Sequence, residues 1–208
     1  MFKFLSTESR PSELLDYIVR MGYIAELNEW DNRPHIERIR RYCYILASGL
    51  DIAQRDVEIM SIASQLHDVG KTTTPEDLLT HKGDYTRQEW AVMEKHTSEG
   101  AQILKGSSSP VLQIAETIAL SHHERWDGSG YPQGLKGDKI PMSGRICALA
   151  DVFDALTSNR IYKNAIDDID ALSLIRKSSG TLFDPRLIKI FDAKMDEILK
   201  TKNALNLP

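Results

Sequence analysis

Residues 121–132 read SHHERWDGSGYP. The stretch joins two kinds of chain. Before it, Val111–His122 is an apolar run whose spacing predicts a helix. After it, residues 124–141 carry the glycines and prolines of a long loop. Outward from this junction, helix signals are many and strand signals scarce. Pro11 opens a helical pattern through about Leu27, and Pro34 opens a second that Gly49 can close. A third spans about Gln54–His67, with Ile59, Ile62, Ala63 and Leu66 on one face. Thr86 and Glu89 form a capping box for a fourth, reaching about Leu104. Ser143 begins another that ends near Thr157, and residues 168–178 and 185–200 supply two more. The expected architecture is all-α: a single bundle of about eight helices. Its domain covers residues 29–200, with residues 1–28 as an N-terminal helical extension and residues 201–208 as a frayed tail.

The 208 residues are 41% hydrophobic and 27% charged, with a net charge of −4. That balance excludes bulk binding to polymeric nucleic acid or to an anionic membrane surface, while a small anionic ligand needs only a few local cations. Cys43 and Cys147 lie in apolar helical patterns without CxxC spacing, which predicts buried thiols in a reducing compartment. No apolar run reaches membrane-spanning length, and MFKFLSTESR carries no cleavage-site pattern. The expected location is the cytoplasm.

The six histidines stand at 35, 67, 81, 96, 122 and 123. Singly, each is more often a satisfied core or surface residue than a ligand. Together they form a pattern: His35, His67, His96 and the His122–His123 pair fall at or near the ends of four expected helices. Helix ends of a bundle can converge on one cleft. Residues 67–71 read HDVGK. Adjacent His67 and Asp68 can reach one ion from a short segment, a carboxylate can bridge two ions, and Gly70 suits a left-handed closing residue. Asp151 lies among Ile146, Cys147, Leu149, Ala150, Val152 and Phe153. A bare buried carboxylate costs several kcal/mol as an order of magnitude, so Asp151 calls for a metal or for a cation such as Arg145. Asp154, three residues on, either supports such a site or is exposed.

This set holds five imidazoles, two carboxylates and no thiolate. Such donors favour Fe, Mn or Zn, with Mg open to the oxygen-rich part. They are too many for one tetrahedral zinc. They fit two six-coordinate ions sharing a carboxylate, an arrangement used for in-line attack on phosphate esters.

The chain resembles the HD-GYP domains, a branch of the HD metal-dependent phosphohydrolases. The resemblance rests on NRPHIERI (32–39), LHDVGK (66–71), EKHTSEGAQIL (94–104), LSHHERWDGSGYP (120–132), ALADVFDALTSNRIYKNA (148–165) and GTLFDP (180–185), in family order over roughly residues 29–195. It implies an all-helical bundle that hydrolyses cyclic di-GMP to pGpG and, in many members, onward to GMP, lowering the level of a second messenger; the final product here, pGpG or GMP, stays open. By position it implies His35, His67, Asp68 and Asp151 as ligands of one ion. Asp68 would bridge to a second ion held by His96, His122 and His123, with iron or manganese as the metal. Lys71 would face the scissile phosphate beside His67 and Asp68. Tyr131, presented by Gly130 and Pro132, would stack on a base, and Arg160 and Lys163 would hold phosphate. Trp126 is expected to pack beneath the loop, and His81 matches no ligand position.

Asp31 stands where family members with a third ion carry glutamate. Aspartate is shorter, and Pro34 restricts Arg33, so Asp31 is open as a third-ion ligand or as a helix N-terminal acid. The expected partners are the cyclic dinucleotide and a regulator such as a sensor or diguanylate cyclase. Two alternatives stay in view: a phosphohydrolase of another cyclic dinucleotide or nucleotide, and a non-catalytic cyclic di-GMP-binding scaffold. Against the scaffold, every core ligand position is filled.

Overall fold

The computed structural model describes residues 11–26, 32–159 and 165–205; Asp31, Arg160 and Lys163 lie outside the described residues. Among the described residues eleven α-helices follow one another: α1 (Pro11–Ala25), α2 (Asn32–Ala47), α3 (Gln54–Ala63), α4 (Glu76–Leu79), α5 (Arg87–Met93), α6 (Lys95–Leu104), α7 (Pro110–Ser121), α8 (Met142–Thr157), α9 (Asp168–Lys177), α10 (Pro185–Ala193) and α11 (Met195–Leu205). Three 3-10 turns, Ser64–Leu66, Val69–Thr73 and Gly137–Lys139, complete the order. Among the described residues the only strand-like pairing is an isolated bridge between Ser179 and Phe183. The all-α expectation holds.

The helix count exceeds the expected eight because two runs break and the short α4 forms where no helix was expected. The run from Thr86 to Leu104 divides at Glu94 into α5 and α6, and the last divides at Lys194 into α10 and α11. Apolar periodicity continues across both breaks, so the pattern does not reveal them. α11 also runs to Leu205, past the expected domain limit at 200. The starts follow local chemistry. Thr86 Oγ1 accepts from Glu89 N, and Glu89 returns a bond from Thr86 N, closing the capping box. Asp184 accepts from Arg186 N to cap α10, with Pro185 in the first turn.

α2 is the central element and packs against α1, α3, α8, α10 and α11. Its Ile39, Tyr42, Cys43 and Leu46 meet Val57 and Ala63 of α3, Ala115 and Ile118 of α7, Leu149 and Phe153 of α8, and Phe191 of α10 in one core. Burying each large side chain contributes roughly 1.5–3 kcal/mol. Tyr42, Phe153 and Phe191 form an edge-to-face series with centroids 5.4 Å apart at each step. Cys43 and Cys147 are buried free thiols, and contact with Cys43 together with burial pushes the Cys147 thiol up.

Gly70 departs from its expected role. Its φ is not positive, so it is not a left-handed helix end. A Cβ there would lie 1.9 Å from His96 O and 2.6 Å from Gly100 N. The glycine therefore lets the Val69–Thr73 turn lie directly on the α6 backbone, bringing Asp68 to His96. No helix among the described residues is long and apolar enough to cross a membrane.

Candidate metal centre

The 3-10 turn Ser64–Leu66 tightens the end of α3 and turns His67 and Asp68 inward. His67 is 0% exposed and Asp68 6%. His67 Nδ1 lies 3.0 Å from Ser64 O, His96 Nδ1 lies 2.6 Å from Met93 O, and His122 Nδ1 lies 3.0 Å from Ile118 O and 3.1 Å from Ala119 O. A carbonyl only accepts, so each Nδ1 carries the hydrogen. In the neutral ring each Nε2 is then left with a lone pair. His35, in the first turn of α2, points Nδ1 at Asp154 Oδ2 over 2.7 Å. Outer hydrogen bonds of this kind orient imidazoles toward metals.

The inward atoms have no hydrogen-bond partner. His67 Nε2, His96 Nε2, His122 Nε2, Asp68 Oδ1 and Glu26 Oε2 are all buried and unpaired. Asp68 Oδ2 is 3.2 Å from His67 Nε2, and its Oδ1 is 3.3 Å from His96 Nε2 and 3.4 Å from His122 Nε2. Lone pairs facing lone pairs in a buried site repel unless a cation or protons stand among them. Two donor groups result, each with ligand atoms within 4.8 Å of one another: Asp68, His96, His122 and His123, and Glu26, His35 and His67. Both fit a metal by donor chemistry.

The electrostatics agree. Burial alone would raise Asp68, but Lys71 and His67 outweigh it and hold the carboxyl well below its ordinary range. Lys71 Nζ lies 2.6 Å from Asp68 Oδ2. Burial pushes His122 down, and burial followed by His122 and His96 pushes His123 well down. In the other group burial opposes charge but loses. Glu26 and Asp154 lift His35 to about 9, and Asp68, Glu26 and Asp151 lift His67 to about 10.

Asp151 lies outside both donor groups and is partly exposed, although its charge reaches His35 and His67. The alternative cation Arg145 is engaged elsewhere, 2.7 Å from Asp184 and 3.1 Å from Asp138. Asp154 is 1% exposed, so the exposed alternative falls. It is held by His35 and by Arg38 Nε at 2.5 Å; burial would raise its carboxyl, but these partners draw it to about 2. His81 stacks on Tyr85, with centroids 5.5 Å apart.

Glu26 is the residue that the motifs miss. It follows α1 and is 1% exposed. The available signal was an acid directly after the apolar face of the first helix.

The loop after His123 closes over the cluster. The Tyr131 ring stacks on His123, with centroids 4.7 Å apart and planes at 23°. Tyr131 N donates to His123 O over 3.2 Å. A Cβ on Gly130 would lie 2.4 Å from Arg125 N and 2.5 Å from His123 O, so only glycine lets the loop lie this close. Pro132 follows, and buried Glu124 then accepts from Gln133 N at 2.8 Å and Leu135 N at 2.9 Å. The Arg145 and Arg186 guanidinium groups lie 5.5 and 5.6 Å from the Trp126 ring.

The HD-domain family profile matches residues 21–187. The chain is 38% identical over 190 residues to 3'3'-cGAMP-specific phosphodiesterase 2 of Vibrio cholerae, covering 91% of this chain and 36% of that protein. It is 39% identical over 178 residues to a cyclic di-GMP phosphodiesterase of Thermotoga maritima, covering 86% of this chain and 48% of that protein. The chain thus spans less than half the length of either relative. In fold it is similar to the crystal structure of a cyclic GMP-AMP specific phosphodiesterase of V. cholerae. The TM-score is 0.67 at 18% identity, over 94% of this chain and 54% of the other. The chain belongs to the HD-domain family, and within it to the HD-GYP branch whose motif it carries at residues 122–132.

Proposed function

We propose that the protein is a metal-dependent phosphodiesterase that opens cyclic di-GMP to pGpG and carries it on to GMP. The reaction is assigned to the domain at residues 29–200. One observation supports this most: the unpaired inward atoms of His67, His96, His122 and Asp68, which call for cations in a pocket beside a ligand-facing loop. The names of the similar phosphodiesterases point to the same substrate class.

His35, His67, Asp68 and Asp151 would hold one divalent ion, and Asp68, His96, His122 and His123 a second, with iron or manganese suiting the donors. Asp31 is the residue on which a third would draw. Bound there, the ions supply an attacking water of near-neutral pKa and positive charge against a phosphate oxygen. The chain's own groups do the rest. Lys71 keeps Asp68 ionised through their contact and adds positive charge where the phosphate becomes more negative. Tyr131, which rests on His123, is assigned to stack on a base. Arg160 and Lys163 are assigned to the remaining phosphate oxygens through charge-assisted hydrogen bonds.

Similarity to a 3'3'-cGAMP-specific enzyme supports a second substrate, cyclic GMP-AMP. The test is product analysis with both dinucleotides, using protein reconstituted anaerobically with Fe(II) or Mn(II). Linear products from either establish the class, and their rate ratio sets base preference. Tight binding by fully metallated protein without product would overturn the enzyme reading in favour of a scaffold.

A further inference from the structure

Glu26 has a place that the motifs do not give it. Its side chain is buried at 1% exposure, in the turn that ends α1. Glu26 N bonds to Tyr23 O over 3.3 Å, which ties the carboxylate to the last turn of the helix. Oε2 lies 3.5 Å from His35 Nε2, and Oε1 lies 3.9 Å from His67 Nε2. Neither separation makes a hydrogen bond, and Glu26 Oε2 and His67 Nε2 are left unpaired. A metal–donor bond of about 2.1 Å puts neighbouring ligand atoms roughly 3–3.5 Å apart. The three donors therefore sit slightly open around a position that a cation would draw together. His35 is fixed from behind by Asp154, and His67 by Ser64 O, so both rings are already aimed.

We infer that Glu26 is a metal ligand, completing with His35 and His67 a divalent-cation site to which the N-terminal helix α1 contributes directly. One carboxylate and two imidazoles suit Mn(II), Fe(II) or Zn(II). The inference rests on the metal-dependent reading above and extends it. The HD-domain match begins at residue 21, but the quoted motifs begin only at residue 32, so Glu26 stands ahead of them.

The test counts Mn(II) bound to the metal-free full chain and follows the rise in Tm that Mn(II) produces. Wild type, Glu26→Gln, Glu26→Ala and His122→Ala are compared. Glu26→Gln keeps shape and removes charge, so it guards against a folding defect, and the Mn-induced shift is read within each variant. The expected result is loss of about one bound ion, or at least tenfold weaker binding of it, in both Glu26 variants, with a smaller Tm rise. His122→Ala should weaken a different ion. Unchanged Mn(II) number and affinity in both Glu26 variants would overturn the inference while leaving the metal centre in place. Loss in the Glu26 variants but none in His122→Ala would support it and sink only the second ion. A wild-type chain that takes up no Mn(II), Fe(II) or Zn(II) would overturn both readings.

Discussion

The two donor groups share a pocket but are built differently. Asp68, His96, His122 and His123 set three imidazoles around one carboxylate, with ring centroids 4.1 Å apart for His122–His123 and 5.0 Å for His96–His123. Burial and crowding push His122 and His123 down, so both are neutral near pH 7. Glu26, His35 and His67 set two imidazoles against a carboxylate, with Asp154 behind. There His35 rises to about 9 and His67 to about 10. One group waits for a cation with lone pairs ready. The other holds protons in the cation's place. Neighbouring sites on one helical frame thus reach opposite protonation states through local charge balance alone.

Asp68 joins the two groups, and removing it should do the most damage. Asp68→Ala is expected to empty both, with turnover falling well beyond the ~100-fold that marks loss of an outer partner. Metal analysis beside a rate assay checks this, and retention of either ion would show the groups to be independent. Lys71→Ala should lower turnover on the order of 10²-fold while leaving bound metal near the wild-type level. Equal loss of both would make Lys71 a structural partner of Asp68.

Asp154→Asn separates the groups. It removes the charge behind His35 and should weaken metal binding there by about 10–100-fold, leaving the His96 and His122 side unaffected in a two-site titration. A pH series probes the same contrast without a substitution. His35 and His67 lie above their ordinary value, so an ion entering their group must displace protons. Its affinity should rise as pH climbs from 7 toward 9, by up to about tenfold per unit for each proton displaced. The His122–His123 side should stay flat over that range because His122 and His123 are already neutral. Metal affinity measured at three pH values decides it, and parallel slopes would erase the contrast.

What could be read from the sequence follows from range. Thr86, Glu89 and Pro185 announce helix starts because their chemistry is completed within a turn. The break at Glu94 was invisible because the apolar spacing persists across it. His67, Asp68, His96, His122 and His123 stood out as donors because an imidazole at a helix end is conspicuous in one dimension. Asp154 was left open between support and exposure, since its partners lie 119 and 116 residues away. Glu26 was missed for a related reason: its burial depends on how α1 docks against the His67 turn, which no local pattern encodes. Gly70 was recognised as special for the wrong cause, because a steric demand from His96 O leaves no trace in its neighbours.

The seating of Gly130 against His123 and Arg125 has a consequence for inheritance. Tyr131 rests on the imidazole of His123 and hangs from the same residue's carbonyl. The side chain proposed to meet a nucleobase and the side chain proposed to hold a cation are therefore one mechanical part. On that proposal, a lineage could not retune its taste in bases through this loop without disturbing the inorganic half of its chemistry. An engineer transplanting the loop would have to carry residues 121–135 as a single graft.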